Sequence, residues 1–194
     1  MNKRRVGLLI WVIKAADEEI ISQCFKKHLK GIFFHRGFTP NNAQCLVTAS
    51  CLFKFMEDSE SIIVMSNRFD GVATEQMESK NPAEVISMIK TLTSGTIADW
   101  KNSAPIGFEG ILDKVKKGLL RTVAELTRDG MAKKSSNLLI ITSGDLPFLE
   151  SLAIEQDPEM KLMKPGEVMT LRVEVVMEGK NSELKVHYVQ HLTL

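Results

Sequence analysis

Three short apolar runs constrain the fold of this chain more than any other feature of its sequence. The runs are Val6–Ile13, Ser61–Ser66 and Asn137–Thr142, and each is rich in branched aliphatic residues and bounded by polar ones. Continuous apolar runs of this length are typical of strands that are buried on both faces, as in a mostly parallel sheet covered by helices. The first run is too short for a membrane span and meets Lys14 and the acidic Asp17–Glu19, which favours a strand over a signal peptide.

Helical spacing of apolar residues separates these runs. The clearest case runs from Phe108 to Leu126, with lysines on the opposite face and Gly130 as a stop signal. A second helix is predicted over Asn41–Met56. A third is predicted to start near Asn81 and Pro82, because Asn caps helices and Pro is tolerated at their first position.

The last thirty or so residues change to an alternation of apolar and polar residues. Val168–Met177 and Leu184–His191 alternate in this way around Glu178–Asn181, which predicts a β-hairpin with one exposed face. The sequence therefore predicts an α/β protein: a three-layer, mostly parallel sheet flanked by helices, with a C-terminal β-hairpin. No linker or internal repeat divides the chain, so residues 1–194 are interpreted as one domain.

Composition excludes several classes of function. The 25 Lys and Arg residues balance 24 Asp and Glu residues, so no global field attracts nucleic acid or a membrane surface. No glycine-rich phosphate loop is present, and no cofactor is expected. The three cysteines, Cys24, Cys45 and Cys51, lack metal-type spacing and indicate free thiols in a reducing compartment, which predicts a cytoplasmic protein.

Four segments carry a family resemblance in their order and spacing. A helix start at Gly37–Cys45 is followed by a strand end at Met65–Glu75, then by Gly107–Glu109 before the long helix, and finally by Ile140–Gly144. This succession resembles the histidine phosphatase superfamily and implies a phosphoglycerate mutase-like fold. In that family a histidine at the end of the first strand takes the phosphoryl group, and two arginines and a second histidine surround the phosphate.

The resemblance implies that the chemical residues of the family are replaced in this chain. Lys14 stands at the first arginine, Ala15 at the nucleophile, Asp70 at the second arginine and Ser143 at the second histidine. Alanine cannot accept a phosphoryl group, and a carboxylate repels a phosphate where the family needs attraction. The chain is therefore interpreted as a catalytically inactive member, which acts as a binding or regulatory module.

The degenerate pocket is expected to be lined by Lys14, Asp17, Asp70 and Ser143. Such mixed charge suits a small polar ligand that is neutral or zwitterionic, and a protein partner on another face is an equal expectation. The exposed edge of the C-terminal hairpin is also compatible with pairing of two copies into a homodimer.

Two enzymatic alternatives remain open at the level of sequence. In the first, Ser143, Lys14 and Asp70 form a hydrolytic cluster in which Lys14 activates Ser143. In the second, a divergent phosphatase of the same fold recruits His35 together with Arg36 or Arg68. The segment His35–Gly37 is predicted to lie in a connecting loop just before the helix start. The first alternative requires Ser143 to face Lys14, and the second requires His35 to lie within a side chain's reach of the end of the first strand.

Two histidines near the C-terminus are the remaining ligand-type residues. His187 and His191 lie four apart and are predicted to share one strand face. No cysteine or carboxylate motif accompanies them, so no metal site is predicted there.

Overall fold

A six-stranded mixed sheet forms the centre of the fold in the computed structural model, which describes residues 4–56, 62–69, 83, 90–91, 93–131, 136–143, 147–178 and 181–194. The strand order is β3-β2-β4-β1-β5-β6. The first four positions in this order are joined by parallel pairing, and β5 and β6 are antiparallel to their neighbours. The strands are β1 Arg4–Lys14, β2 Arg36–Thr39, β3 Ile63–Met65, β4 Ser136–Thr142, β5 Val168–Glu178 and β6 Asn181–Leu192.

Helices cover both faces of the sheet. They are α1 Glu18–Cys24, which continues as a π-helical turn over Phe25–Leu29, α2 Ala43–Phe55, α3 Ile97–Ser103 and α4 Pro105–Arg128, with 3₁₀ turns at Asn67–Phe69 and Leu149–Ala153. Helices α3 and α4 pack on one face, and α1 and α2 pack on the other. The predicted three-layer α/β architecture with a C-terminal hairpin is confirmed. None of the helices in the described part of the chain is long and apolar enough to cross a membrane.

The central strands are covered by helices on both faces, which explains why their sequences are apolar without interruption. Along β4, Leu138 and Ile140 point into the core beneath α4, whereas Leu139 and Ile141 point into the core beneath α2. All four side chains are fully buried. Because successive side chains of a strand alternate between faces, a strand that is covered on both sides requires apolar residues at every position.

The long helix α4 shows the opposite pattern, with one buried face and one wet face. Pro105 occupies its first turn, where a missing N–H costs nothing, and Gly130 follows its end with a φ of 71°. Its buried apolar residues recur at helical spacing: Phe108, Leu112, Val115, Leu119, Val123 and Leu126.

Two sequence interpretations are corrected by the structure. The segment at His35–Gly37 was interpreted as a connecting loop, but Arg36–Thr39 forms β2, which pairs with β3 and β4. The segment Gly107–Glu109 was expected to precede the long helix, but it lies within the first turns of α4. The predicted helix start at Asn81 and Pro82 lies outside the described residues.

Candidate functional site

The ends of three strands meet at the carboxyl edge of the parallel strands. Lys14 at the end of β1 pairs in register with Thr142 at the end of β4, and Ser143 follows directly. The antiparallel strand β5 begins at the same edge, so the backbone N–H of Lys14 donates to the carbonyl of Glu167 at 3.1 Å. Open α/β sheets bind their ligands at this edge. The structure therefore brings Lys14, Ser143 and Glu167 together where the sequence predicts a pocket.

Lys14 is buried and neutralised by a carboxylate. Its side chain is 1% exposed, and its Nζ lies 3.1 Å from Oε1 of Glu150, whose side chain is fully buried. The same Nζ donates to the carbonyl oxygen of Ser143 at 3.3 Å. The second oxygen of Glu150 accepts the backbone N–H of Phe148 at 2.8 Å. The positive charge at the end of β1 is therefore held inside the protein by an internal carboxylate.

Glu150 is the residue of this site that the sequence analysis missed. It lies in the 3₁₀ turn Leu149–Ala153, in which every residue is buried. A single acidic residue in the apolar stretch Pro147–Ala153 is the available signal, since a buried carboxylate needs a cation or hydrogen-bond donors. The sequence does not say which cation, because the partner lies on a strand at the other end of the chain.

The turn that follows Lys14 is rigidly held and carries no nucleophile. Ala15 is fully buried, and its N–H donates to the carbonyl of Thr142 at 2.9 Å. The next residue, Ala16, exchanges two hydrogen bonds with the hydroxyl of Thr48 on α2, at 3.1 and 3.0 Å. Asp17 is exposed and caps α1, since its Oδ1 accepts the N–H of Ile20 at 3.0 Å. Ser143 is half-buried, and Asp70 lies outside the described residues.

His35 lies at the opposite edge of the sheet from Lys14. Its backbone N–H donates to the carbonyl of Asn137, and its Nδ1 accepts the N–H of the same residue at 3.1 Å. Asn137 pairs with Leu9 of β1, five residues before Lys14. At about 3.3 Å per residue, His35 is roughly 16 Å from the end of β1. A side chain cannot cover that distance, and Arg36 starts β2 at the same far edge.

Arg68 is also directed away from the end of β1. Its guanidinium donates two hydrogen bonds to the carboxylate of Glu125 on α4, at 2.9 and 2.8 Å, and a third to the hydroxyl of Thr122 at 2.9 Å. Gly118 makes room for this contact, since a Cβ there would lie 3.1 Å from Cγ of Arg68. The hydrogen bonds from Arg68 hold the pKa of Glu125 below its ordinary value.

The two C-terminal histidines are separated by an irregularity in β6. The register of β5 and β6 shifts between Thr170 and Leu171, so that His187 pairs with Arg172 and His191 pairs with Met169. The prediction that they share one strand face is therefore wrong, because the bulge inserts one residue between them. His191 instead contacts Glu167, with Nε2 2.8 Å from Oε2. Among the described residues, no group of three or more His, Cys, Asp and Glu side chains is placed to hold a metal ion.

The cysteines lie in the hydrophobic core beneath α1 and α2. All three are buried, and none forms a disulfide. Burial raises the pKa of the Cys24 thiol to about 12, so it stays protonated and unreactive at neutral pH.

A hollow of about 580 Å³ opens at the carboxyl edge, on the side of α1 and α2. Its lining comes from four places: the turn after β1, the first turn of α1, the first turns of α2 and the loop before β5. We refer to it as the Asp17 hollow, after the one ionisable residue among those that line it. Its lining begins at Ala16, two residues after the end of β1.

Comparison with known proteins identifies the fold. No protein-family model matches the chain, and no curated protein is significantly similar to it in sequence. Among solved structures, the crystal structure of phosphoglycerate mutase from Bacillus anthracis str. Sterne is similar over 94% of this chain and 92% of that chain, with 15% identity and a TM-score of 0.50. A phosphoglycerate mutase from Plasmodium falciparum aligns over 96% of this chain and 99% of its own, with 10% identity and a TM-score of 0.39.

The chain therefore has a phosphoglycerate mutase-like fold, the fold of the histidine phosphatases. This confirms the fold that the sequence motifs indicate. Similarity at 15% identity defines a fold and leaves the chemistry to be argued from the site.

Proposed function

We propose that this chain is a catalytically inactive histidine phosphatase-like protein that acts as a binding or regulatory module. The observation that supports this most strongly is the buried pair of Lys14 and Glu150 beside the buried Ala15. Transfer of a phosphoryl group in this fold requires a nucleophile and a surplus of positive charge. Ala15 offers no nucleophile, and Glu150 cancels the charge that Lys14 would offer.

The same geometry argues against the enzymatic alternatives. A lysine that activates Ser143 would have to accept a proton from its hydroxyl, but Nζ of Lys14 lies against a carboxylate and the carbonyl oxygen of Ser143. A divergent phosphatase that uses His35 would need this histidine at the end of β1, about 16 Å from its position just before β2. Neither alternative has a contact among the described residues that favours it.

Hydrolysis of an aryl phosphate between pH 5 and pH 8 tests the proposal. The purified chain is compared with Ser143→Ala and with the paired variant Lys14→Met, Glu150→Gln, which removes both charges together. We expect no turnover above that of the variants, and no binding of inorganic phosphate by isothermal titration calorimetry. Turnover that Ser143→Ala loses while its unfolding midpoint is unchanged would show an active centre and overturn the proposal.

A further inference from the structure

The Asp17 hollow has the size and position of a small-molecule site. Its volume of about 580 Å³ is within the range of natural ligand pockets. It lies at the carboxyl edge of the parallel strands, where α/β sheets place their ligands. Its walls are largely apolar and come from separate elements: Ala16, Ile20, Ala43, Val47 and Pro165.

One carboxylate sets the charge of this apolar surface. Among the described residues that line the hollow, Asp17 is the ionisable one, and the polar lining is completed by the amide side chain of Gln44. The positive charge of Lys14 is nearby in sequence but is enclosed with Glu150. The neighbouring Glu18 is paired with Lys54 on α2 at 2.9 Å. Among the described side chains, a ligand in the hollow therefore meets apolar walls and one carboxylate, which also caps the N-terminus of α1.

We infer that the Asp17 hollow binds a small organic cation, an ammonium group attached to an apolar body. The ammonium group lies against the carboxylate of Asp17, and the apolar body covers Ile20 and Val47, of which Val47 is 52% exposed in the structure. An anion of the same shape is repelled by Asp17, so the hollow selects against phosphate esters. This inference rests on the proposed role as a binding module and names the class of ligand.

Three probes with the same six-carbon chain isolate the contribution of charge. Hexylammonium, hexanol and hexanoate are titrated into the full chain, and the amide signals of Asp17 and Ile20 are followed by ¹H–¹⁵N NMR. The N–H of Ile20 is a direct reporter, because it donates to the carboxylate of Asp17. We expect hexylammonium to bind about three- to tenfold more tightly than hexanol, the size of one solvent-exposed charge interaction. Hexanoate should bind most weakly, and the preference should fall in 0.5 M salt.

Asp17→Asn is the decisive variant, because asparagine caps a helix as well as aspartate does. Helix α1 is therefore retained while the charge is lost, and hexylammonium should bind no better than hexanol. Glu19→Gln is the matched control, since it removes the same charge from the same exposed turn of α1 but outside the lining of the hollow. It should leave the preference unchanged. Ala43→Leu places a larger side chain in the hollow at an exposed helical position and should weaken the binding of all three probes.

Three results would overturn the inference. They are the absence of any shift with hexylammonium, equal binding of hexanoate, and a cation preference that survives in Asp17→Asn. The assay of aryl phosphate hydrolysis separates this failure from failure of the proposed function. A chain that neither hydrolyses phosphate esters nor prefers hexylammonium loses only the ligand class, whereas turnover that depends on Ser143 refutes the inactive module whatever the probes show.

Discussion

Two cations among the candidate site residues, Lys14 and Arg68, are both neutralised in this chain, but in different surroundings. Lys14 and Glu150 are 1% and 0% exposed, and they are joined by one contact of 3.1 Å. Arg68 and Glu125 are 22% and 44% exposed, and they are joined by two hydrogen bonds of 2.9 and 2.8 Å. The half-exposed pair thus has the better geometry, and the buried pair has no access to water.

We expect burial, rather than contact distance, to decide how much each pair contributes to the free energy of unfolding. A buried charge that loses its partner cannot be solvated, whereas a surface charge that loses its partner returns to water. The buried pair is therefore expected to be a requirement of the folded structure. The surface pair joins the turn after β3 to helix α4 and is expected to contribute little to stability.

The largest effect is expected from Glu150→Gln. It removes the buried carboxylate that lies 3.1 Å from Nζ of Lys14, while the amide oxygen of glutamine can still accept the N–H of Phe148. The free energy of unfolding should fall by about 3–5 kcal/mol. Urea denaturation followed by circular dichroism measures this.

The paired variant Lys14→Met, Glu150→Gln is the control for that prediction. Removing both charges should recover most of the lost stability, because buried ion pairs are often replaced by neutral residues at little cost. A double variant as unstable as Glu150→Gln would show that shape at this position, rather than charge, is what the protein needs.

The buried and continuous parts of the fold are predictable from sequence, and the short or irregular parts are not. Strands β1 and β4 can be predicted from sequence because they are apolar on both faces. Strand β2 has four residues and contains Gly37, where a Cβ would lie 2.9 Å from Cγ1 of Ile63. That glycine permits a close approach to β3, which is a tertiary reason that local propensity does not contain. The bulge that separates His187 from His191 is likewise absent from the pattern of alternation.

Only those residues of the candidate site that directly follow a predicted strand can be placed from the sequence. Lys14 and Ser143 follow apolar runs, so their common edge can be foreseen from parallel pairing. Glu150 cannot be foreseen, because its partner is chosen by the packing of the turn Leu149–Ala153 against the end of β1. The partner of Arg68 cannot be foreseen either, since Glu125 lies on α4, 57 residues further along the chain.

An intermediate effect is expected from Glu125→Gln, and it should depend on salt. The loss in the free energy of unfolding should be at most about 1 kcal/mol in 0.05 M NaCl, because both groups are partly hydrated. It should shrink in 1 M NaCl, where charges are screened beyond about 3 Å. The loss caused by Glu150→Gln should stay the same in both salts. Urea titrations at the two salt concentrations provide the comparison, and a salt-sensitive Glu150→Gln would mean that water reaches Lys14.

The half-exposed pair should also show its contribution in a pH titration. The hydrogen bonds from Arg68 lower the pKa of Glu125 below its ordinary value of 4.5. A group with a lowered pKa stabilises the folded state above its unfolded pKa, and this stabilisation is lost as the pH falls through the folded pKa. The difference between the wild-type chain and Glu125→Gln should therefore be constant from pH 7 to pH 5 and disappear toward pH 3. Carboxyl ¹³C NMR measures the titration directly, and a midpoint for Glu125 at or above 4.5 would contradict the assignment.

The smallest effect is expected from a fully exposed pair that has a still shorter contact. On α4, Nζ of Lys117 lies 2.6 Å from Oδ2 of Asp113 one turn earlier, with side chains that are 67% and 61% exposed. Lys117→Gln should lower the free energy of unfolding by no more than about 0.3–0.5 kcal/mol, the usual value for such helical pairs. The three variants would then rank by burial, with the largest effect at the longest contact, which is the reverse of the order that contact distance alone would give. If Lys117→Gln cost as much as Glu125→Gln in the same urea titration, contact distance would matter as much as burial, and the contrast between Lys14 and Arg68 would lose its physical basis.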